Sequence, residues 1–423
     1  MENAFLAGWE STRHEGATAS IAEAEDSLRE LKELTASAGA RVVGSVLQRS
    51  PQPDPATLLG RGKVNEVRTQ ARAARADLVI FDHDLTPTQL RNLEKLLDLR
   101  VIDRTQIILD IFARRARSRE GQLQVELAQL NYLLPRLSGR GTVLSRLGGG
   151  IGTRGPGEQQ LEYDRRRIRR RIRILAEGIE HVRSQRALHR AHRRDQNLQT
   201  VALVGYTNAG KSTLFNALTQ ASVVTSARMF ATLDPTVRAL ALDAHRTALL
   251  SDTVGFIRKL PPHLVAAFRA TLEELEEARL LLHVTDASDP QCVEQDAAVE
   301  SLLEQLGVAA TPRLHVWNKV DLLSPAERKR LELLDRSVLV SAKTEEGLED
   351  LRRRIADELV TDTLVEVDYE LSPGDGRQLA LLHRTGTVVF THYREGKIFV
   401  RARIPQSLRD MLKPSVAEAA RQP

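Results

Sequence analysis

Cysteine is nearly absent from the chain, and long hydrophobic runs are missing. Cys292 is the single cysteine among 423 residues, which excludes a disulfide framework and a cysteine-ligated zinc site and favours a reducing compartment. No stretch approaches the ~18 consecutive apolar residues of a membrane span. Residues 3–8 are too short for a secretory signal and lack its basic flank. We therefore expect a cytoplasmic protein without a transmembrane segment, although the sequence leaves peripheral membrane association open.

The rest of the composition is typical of a globular protein. Hydrophobic residues make up 42% and charged residues 28% of the chain, which excludes wholesale disorder and a fibrous fold. At ~150 residues per domain, the length allows about three domains.

Positive charge is distributed unevenly. Between Ala113 and Arg194 there are 20 arginines, no lysine and 7 acidic residues, a local net charge of +13. Since the whole chain carries +5, the remainder carries −8. This asymmetry indicates a polyanionic partner such as RNA, DNA or a membrane surface, although a solvated helix face would show the same pattern.

Residues 1–104 alternate short apolar strands with helices, which predicts a small parallel α/β domain. The predicted strands are Ala4–Ala7, Arg41–Leu47, Leu78–Phe81 and Arg100–Ile102, and the predicted helices are Ala22–Ala36, Lys63–Ala74 and Pro87–Leu97. The polar residues Asp82, His83 and Asp84 follow the third strand, where α/β proteins tend to place sites. More often, however, such a trio is an ordinary polar loop.

Residues 105–197 predict two long helices that form an antiparallel hairpin. Their apolar seams have coiled-coil spacing: Leu123, Leu127, Leu130 and Leu134 in the first, and Ile168, Ile172, Leu175, Ile179 and Val182 in the second. At 1.5 Å per residue the arms would be about 40–55 Å long. Five arginines fall off the second seam and are expected to face solvent or a partner: Arg165, Arg166, Arg169, Arg170 and Arg173.

The hairpin tip, at residues 136–158, is rich in glycine. Residues 139–157 contain eight glycines, interleaved with Arg140, Arg146 and Arg154. Glycine lets backbone approach a surface closely, and arginine offers bidentate contacts to phosphate, so we interpret the tip as a contact element rather than a connector. Residues 150–155 match GxGxxG, but no strand precedes them, and we reject dinucleotide binding there.

A phosphate-binding loop follows the strand Thr200–Val204. The motif GxxxxGKS directly precedes an apolar helix, the context that the P-loop requires. Its backbone amides would cradle phosphates, Lys211 would reach the β- and γ-phosphates, and the Ser212 hydroxyl would coordinate Mg²⁺. The residues are Gly205, Tyr206, Thr207, Asn208, Ala209, Gly210, Lys211, Ser212 and the adjoining Thr213.

Three further tetrapeptide or tripeptide motifs lie at predicted strand ends, in an order and spacing that point to guanine. In the first, Asp252 would support the Mg²⁺ shell and the Gly255 amide would sense the γ-phosphate. In the second, the Asp321 carboxylate can accept hydrogen bonds from the N1–H and the exocyclic amine of guanine. Adenine does not present this pair of donors. The motifs are Asp252-Thr253-Val254-Gly255, Asn318-Lys319-Val320-Asp321 and Ser341-Ala342-Lys343.

These motifs resemble those of a translation-factor-type GTPase. The segment between the P-loop and Asp252 is similar to the first switch of the Obg and HflX GTPases, namely Phe230, Ala231, Thr232, Leu233 and Asp234. The resemblance implies that Thr232 senses Mg²⁺ and the γ-phosphate, with Thr225 and Thr236 as rival candidates. It extends to the HflX family over nearly the whole chain, because residues 148–158 (GGGIGTRGPGE) are the signature of that family.

The resemblance implies a fold and a function. The expected architecture is α/β and multidomain: an N-terminal α/β domain, the hairpin, a P-loop GTPase domain at 198–362 and a small α+β domain at 363–423. The expected activity is hydrolysis of GTP to GDP with Mg²⁺, by a monomer that binds the large ribosomal subunit. The hairpin would reach ribosomal RNA near the peptidyl-transferase region, and the protein would split stalled or idle ribosomes under stress.

Two P-loop-domain residues bear on the mechanism. Phe256 stands where Ras-like enzymes carry the glutamine that orients water, so we expect slow intrinsic turnover that ribosomes accelerate. Asn208 matches a position where related GTPases hold K⁺ against the phosphates, although a tolerated loop residue is the more common explanation for such an asparagine.

Two other readings stay open at this point. One is a ribosome-assembly or RNA-binding protein in which the nucleotide is mainly structural. The other is an RNA remodeller with a second nucleotide site, for ATP, in the N-terminal region, where no accepted phosphate motif is found. The sequence does not identify the group that positions the attacking water or the role of the C-terminal domain.

Overall fold

The structure is a computed structural model with three sheets. It describes residues 1–12, 17–137, 156–195, 199–221, 229–243, 246–258, 274–334, 336–359, 364–372, 375–394, 397–405 and 409. Most of the predicted tip (139–155) and Thr225 lie outside these residues. In the described ranges, no helix combines the length and the apolar character needed to cross a membrane.

The N-terminal domain is the predicted parallel α/β unit. Its strands have the order β2-β1-β3-β4, and all of their pairings are parallel. Thr86 and Gln89 form a capping box that starts the third helix, and Asp98 in the left-handed region ends it. The elements are β1 (Asn3–Ser11), α1 (Ala17–Ser37), β2 (Arg41–Ser50), α2 (Arg61–Ala73), β3 (Leu78–Phe81), α3 (Pro87–Leu97), β4 (Arg100–Asp103) and α4 (Arg104–Arg115).

The first arm of the hairpin is shorter than the sequence predicted. The helical segment expected from Thr105 onwards is divided into α4 and α5 (Arg119–Arg136), because α4 ends before Ala116 and Ser118 caps α5 by accepting a hydrogen bond from the Gly121 N–H. Helix α4 is buried in the N-terminal domain. The 18 residues of α5 span about 27 Å, and the second arm, α6 (Pro156–Asp195), spans about 60 Å over its 40 residues.

The two arms pack along the predicted seam of α6. Leu175 is buried, and the other four seam residues are half-buried. In α5 the predicted leucines are half-buried, whereas a second face bearing Val125, Ala128 and Tyr132 is buried in the core of the N-terminal domain. Helix α5 therefore has two apolar faces. The coiled-coil spacing of its leucines predicted only the face that packs on α6. Because Pro at the first position favours a helix start, α6 already includes Gly157 and Glu158 of the predicted tip.

The P-loop domain is a six-stranded sheet with the order β10-β9-β8-β5-β7-β6, in which only the edge pair β6–β7 is antiparallel. Parallel strands place their carboxyl ends at one edge, and the predicted motifs follow β5, β7, β9 and β10. The elements are β5 (Thr200–Val204), α7 (Lys211–Thr219), β6 (Thr236–Ala241), β7 (Thr247–Asp252), β8 (Leu280–Asp286), α8 (Cys292–Gln305), β9 (Arg313–Asn318), α9 (Pro325–Glu332), β10 (Ser337–Leu339) and α10 (Leu348–Glu358).

The C-terminal domain is a three-stranded antiparallel sheet with one helix, which confirms the predicted α+β module. Its strand order is β11-β13-β12. One face of the sheet packs with the helix around Leu382, Val400 and Ala402. The elements are β11 (Leu364–Leu371), α11 (Gly376–Thr385), β12 (Thr387–Arg394) and β13 (Lys397–Pro405).

A single apolar core joins the N-terminal domain to the P-loop domain. It contains Ile108 and Phe112 of α4 together with Phe230, Leu233 and Val254 of the two predicted switch segments. The rings of Phe112 and Phe230 meet edge to face, with centroids 4.7 Å apart. The predicted switches therefore pack against the domain that carries the hairpin.

Candidate functional site

The P-loop lies between β5 and α7 and depends on two glycines. Gly205 has φ +147° and Gly210 has φ +92°, conformations that residues with a Cβ rarely adopt. A Cβ on Gly205 would also collide with the Val284 carbonyl oxygen of β8. Asn208 is exposed with φ +65°, and asparagine is one of the few residues that tolerate this region. The loop geometry alone therefore accounts for an asparagine at this position.

Lys211 is buried behind the loop. Its ammonium donates hydrogen bonds to the carbonyl oxygens of Gly205 and Tyr206, at 3.0 and 2.7 Å. Burial lowers the pKa of Lys211 to about 8, and the nearby charge of Asp252 opposes this shift. Among the described residues the Lys211 ammonium has no ion-pair partner in direct contact, which suits a phosphate ligand.

Three oxygen-bearing side chains converge beside the first turn of α7. The Ser212 and Thr232 hydroxyl oxygens lie 2.8 Å apart, and both donate to Asp252 Oδ2, at 2.7 and 2.9 Å. Adjacent ligands of an octahedral Mg²⁺ at 2.0–2.1 Å lie about 2.9 Å apart. The two hydroxyls therefore already have the spacing of neighbouring magnesium ligands.

Asp252 provides the negative charge of this cluster. Burial raises the pKa of the Asp252 carboxyl, while hydrogen bonds from Ser212 and Thr232 and the charge of Lys211 oppose the increase. Its second oxygen, Oδ1, is buried and accepts no hydrogen bond from the described residues. A buried carboxylate with a free oxygen fits a nearby cation or its water shell.

The segment after Asp252 pairs with the P-loop. The Phe256 N–H donates to the Gly205 carbonyl at 3.1 Å, and the Thr207 N–H donates to the Phe256 carbonyl at 2.7 Å. The Phe256 ring is buried in a core cluster with Tyr206. Gly255 lies against Thr207 and Lys211, since a Cβ on it would be 3.0 Å from the Lys211 Nζ atom.

Asn318 connects its own motif to the P-loop and to the segment after β10. Its side-chain amide donates to the Ala209 carbonyl at 2.8 Å and accepts from the Ala342 N–H at 3.0 Å. The Ser341 hydroxyl donates to Asp321 Oδ1 at 2.7 Å. The predicted guanine-contacting carboxylate is therefore held in place by a residue that follows β10.

The remaining predicted residues surround these groups. Val320 is buried, and Lys319 forms an ion pair with Asp286 at 2.6 Å. Thr236, the rival to Thr232, is the first residue of β6 and is paired with Asp252 across the two strands. Lys343 is exposed, while Thr213, Ala231, Thr253, Val254 and Leu233 are buried or half-buried around the site.

Sequence reasoning missed a buried polar network behind the P-loop. The Tyr206 hydroxyl donates to Glu30 of α1 and accepts from the Arg258 N–H. Arg104, which is 1% exposed, donates to Glu30, to Asp82 and to the Arg258 carbonyl. The network assigns Asp82 a structural role. Glu30 and Tyr206 are 176 positions apart, so no local pattern could have revealed it.

A second missed contact joins the first predicted switch to the hairpin. Asp234 Oδ2 accepts hydrogen bonds from the N–H groups of Arg117 and Ser118, both at 2.8 Å, and Oδ1 accepts one from the Ser118 hydroxyl. These donors are at the N-terminus of α5. A carboxylate is favoured there because helix N-termini carry partial positive charge.

A cavity of about 310 Å³ separates the P-loop from α1. Glu30, Glu33 and Asp289 are among its lining residues, as is Asn208. Burial raises the pKa of Glu33, and the charges of Glu30 and Asp289 add to this effect. The acidic lining favours a cation over an anion in this cavity.

Comparisons with known proteins cover most of the chain. Three family models match it, described as GTP-binding GTPase N-terminal (residues 25–113), GTP-binding GTPase Middle Region (115–193) and 50S ribosome-binding GTPase (200–319). GTPase HflX of Caldanaerobacter subterraneus subsp. tengcongensis is 47% identical over 391 residues, which is 92% of this chain and 90% of that protein. GTPase HflX of Escherichia coli is 43% identical over 388 residues, 90% of each chain.

One solved structure is a weaker match. It is a GTP-binding protein from the archaeon Sulfolobus solfataricus in complex with GDP, 24% identical, with a TM-score of 0.42 over 85% of this chain and 98% of that chain. The sequence identity to the two HflX relatives is far higher, at 47% and 43% over about nine tenths of the chain. With its guanine-nucleotide motifs brought to one edge of a P-loop sheet, the protein is a GTPase that belongs to the HflX family.

Proposed function

We propose that this GTPase binds the large ribosomal subunit and dissociates stalled or idle ribosomes under stress. The observation that carries the proposal is the α5–α6 hairpin, whose second arm presents arginines to solvent on the side away from its apolar seam. The description of the family model matched by residues 200–319, a 50S ribosome-binding GTPase, supports the same partner.

The exposure of the arginines suits contact with ribosomal RNA. The side chains of Arg166 and Arg173 are 74% and 83% exposed, and Arg169 and Arg170 are exposed beside them, whereas Arg165 is half-buried. Arginine binds phosphate bidentately. In our proposal these residues and the glycine-rich tip contact the RNA, and the protein acts as a monomer.

The nucleotide site supports a division of roles in GTP hydrolysis. Lys211 binds the β- and γ-phosphates, and Asp321 accepts the two guanine donors. Ser212 and Thr232 would hold Mg²⁺, with Asp252 in its outer shell, since the two hydroxyls are 2.8 Å apart. When bound, this ion supplies positive charge to the phosphate oxygens.

Turnover without a partner is slow in this proposal. The Phe256 ring packs in the core and has no hydrogen-bonding atom to orient the attacking water. The ribosome therefore completes or orders the catalytic groups. Asn208 would hold K⁺ near the phosphates, and the acidic cavity that it lines favours a cation.

Sedimentation with ribosomes tests the proposal. The protein should pellet with large subunits in the presence of GTP or a non-hydrolysable analogue, more than with GDP, and binding should weaken steeply with salt. Each phosphate contact contributes about 0.7–0.9 to the salt slope. A variant with four arginines changed to glutamine should lower the slope by roughly 3: Arg165, Arg166, Arg169 and Arg170.

A matched control has four exposed basic residues outside the hairpin changed to glutamine: Lys329, Arg330, Arg353 and Arg354. This control should keep the salt slope of the original protein. If the salt slope of ribosome binding is the same for the two variants, the arginines of the arm do not contact RNA.

The alternative is an assembly or RNA-binding protein in which the nucleotide is mainly structural. Phe256 is compatible with it, because its buried ring cannot orient the attacking water. A Lys211→Ala variant distinguishes the two, because it removes the phosphate-binding cation. If this variant dissociates ribosomes at the original rate, hydrolysis is incidental and the alternative is correct.

A further inference from the structure

The contact between Asp234 and the base of the hairpin lies two residues from Thr232. Asp234 accepts three hydrogen bonds from the first residues of the hairpin, and Thr232 donates to Asp252 in the magnesium cluster. Over such a short stretch of backbone, a displacement of Asp234 must move Thr232.

The same loop is attached to the N-terminal domain at its other end. The Met229 N–H donates to the Ser37 hydroxyl of α1 at 3.0 Å, and Phe230 is buried against Phe112. Phe230 has φ +55°, a strained conformation for a bulky residue. A strained residue persists only where its surroundings hold it, so the loop depends on these contacts for its position.

We infer that Asp234 is a positioning residue for GTP hydrolysis: its contact with the N-terminus of α5 holds Thr232 in the magnesium cluster, and movement of the hairpin base changes turnover. The part of this inference in which a ribosome moves the hairpin rests on the proposed function. The part that concerns the isolated protein does not.

Gly121 allows the contact to be broken from the hairpin side. This residue occupies the first turn of α5, and a Cβ on it would collide with Asp234 Oδ1. Alanine favours a helix over glycine, so Gly121→Ala should preserve α5 while it expels the carboxylate. The substitution changes no residue of the nucleotide site.

Gly178 of α6 provides the matched control. It is also a helical glycine of the hairpin, but a Cβ there would meet only Leu123 Cδ1, at an ordinary 3.6 Å. Ser118→Ala is an intermediate case, because it removes the hydroxyl donor to Asp234 and leaves the two backbone donors in place. It also removes the cap of α5, so its effect is compared with that of Gly121→Ala, which keeps the cap.

The experiment measures steady-state GTP hydrolysis without ribosomes and the affinity for GDP. Hydrogen bonds to a charged group are strong enough to change an equilibrium roughly tenfold. Gly121→Ala should therefore lower kcat about tenfold and Ser118→Ala about threefold. Affinity for GDP, which lacks the γ-phosphate that Thr232 senses, should stay within twofold, and Gly178→Ala should match the original protein in both measurements. A kcat for Gly121→Ala within twofold of the original, or an equal fall in Gly178→Ala, would overturn the inference.

A second measurement separates this inference from the proposed function. Gly121→Ala should still pellet with large subunits, while ribosomes should stimulate its GTPase activity several-fold less than that of the original protein. Normal binding with normal stimulation would show that the hairpin base does not transmit the signal. If even the original protein fails to bind ribosomes, the proposed function is wrong, and the ribosome-free kcat values still decide the role of Asp234.

Discussion

The buried ammonium of Lys211 should make nucleotide binding consume protons at alkaline pH. Its pKa is lowered to about 8 because the side chain is buried, and the nearby charge of Asp252 opposes this shift only in part. Bound phosphate adds negative charge beside the ammonium and raises this pKa. The charged form is therefore favoured in the complex, and free protein that has lost the proton must regain it on binding.

The size of the effect follows from the pKa. With a value of about 8, Lys211 is roughly 10% deprotonated at pH 7.0 and roughly 75% deprotonated at pH 8.5. Binding of GDP should take up about 0.1 proton at the lower pH and about 0.75 at the higher one. Between pH 7 and pH 9 the affinity should fall about tenfold, which is ~1.4 kcal/mol.

Isothermal titration calorimetry in buffers of different ionisation enthalpy measures this proton uptake directly. Lys211→Arg keeps the positive charge but does not titrate in this range, so the uptake should disappear. Lys329→Gln changes an exposed residue of α9 and should leave it intact. An uptake that is equal at both pH values, or that persists in Lys211→Arg, would refute the link between burial and the lowered pKa.

Three further outcomes are expected. Arg104→Met should destabilise the fold by about 3–5 kcal/mol in urea denaturation, because it removes the buried cation that pairs with Glu30 and Asp82. The exposed ion pair between Arg72, which is 49% exposed, and Asp98 should be worth under ~1 kcal/mol. Asp321→Asn should weaken GDP binding by about 2–3 kcal/mol in a calorimetric titration, since a charged acceptor for two guanine donors is lost. GTPase rates should be higher in K⁺ than in Na⁺, and Asn208→Ala should abolish the difference; equal rates in the two salts would dispose of the potassium site.

The motifs and their strand-end placement were predictable from the sequence. Each is a short segment whose role depends on a strand just before it, and strands such as Thr200–Val204 and Arg313–Asn318 are marked by local apolar runs. Parallel pairing then brings the carboxyl ends of these strands together without further information. The fold class follows from the same alternation of strands and helices.

The contacts between domains were not predictable. Asp234 and Ser118 are 116 positions apart, and each has an ordinary local explanation, as a loop residue and as a helix cap. The break between α4 and α5 was missed although residues 113–120 carry no large apolar side chain, whereas contacts such as that between Asp234 and Ser118 leave no local mark in the sequence. Such features depend on how two folded surfaces dock, which periodicity does not encode.

The unbroken 40 residues of α6 have a mechanical consequence. The helix starts at Pro156, inside the predicted tip, and ends at Asp195, five positions before β5, the strand that precedes the P-loop. A rigid rod of about 60 Å is a lever, and each degree of rotation at its P-loop end sweeps its far end through about 1 Å. A rotation of a few degrees at Asp195 would therefore displace the far end of the arm by several ångströms.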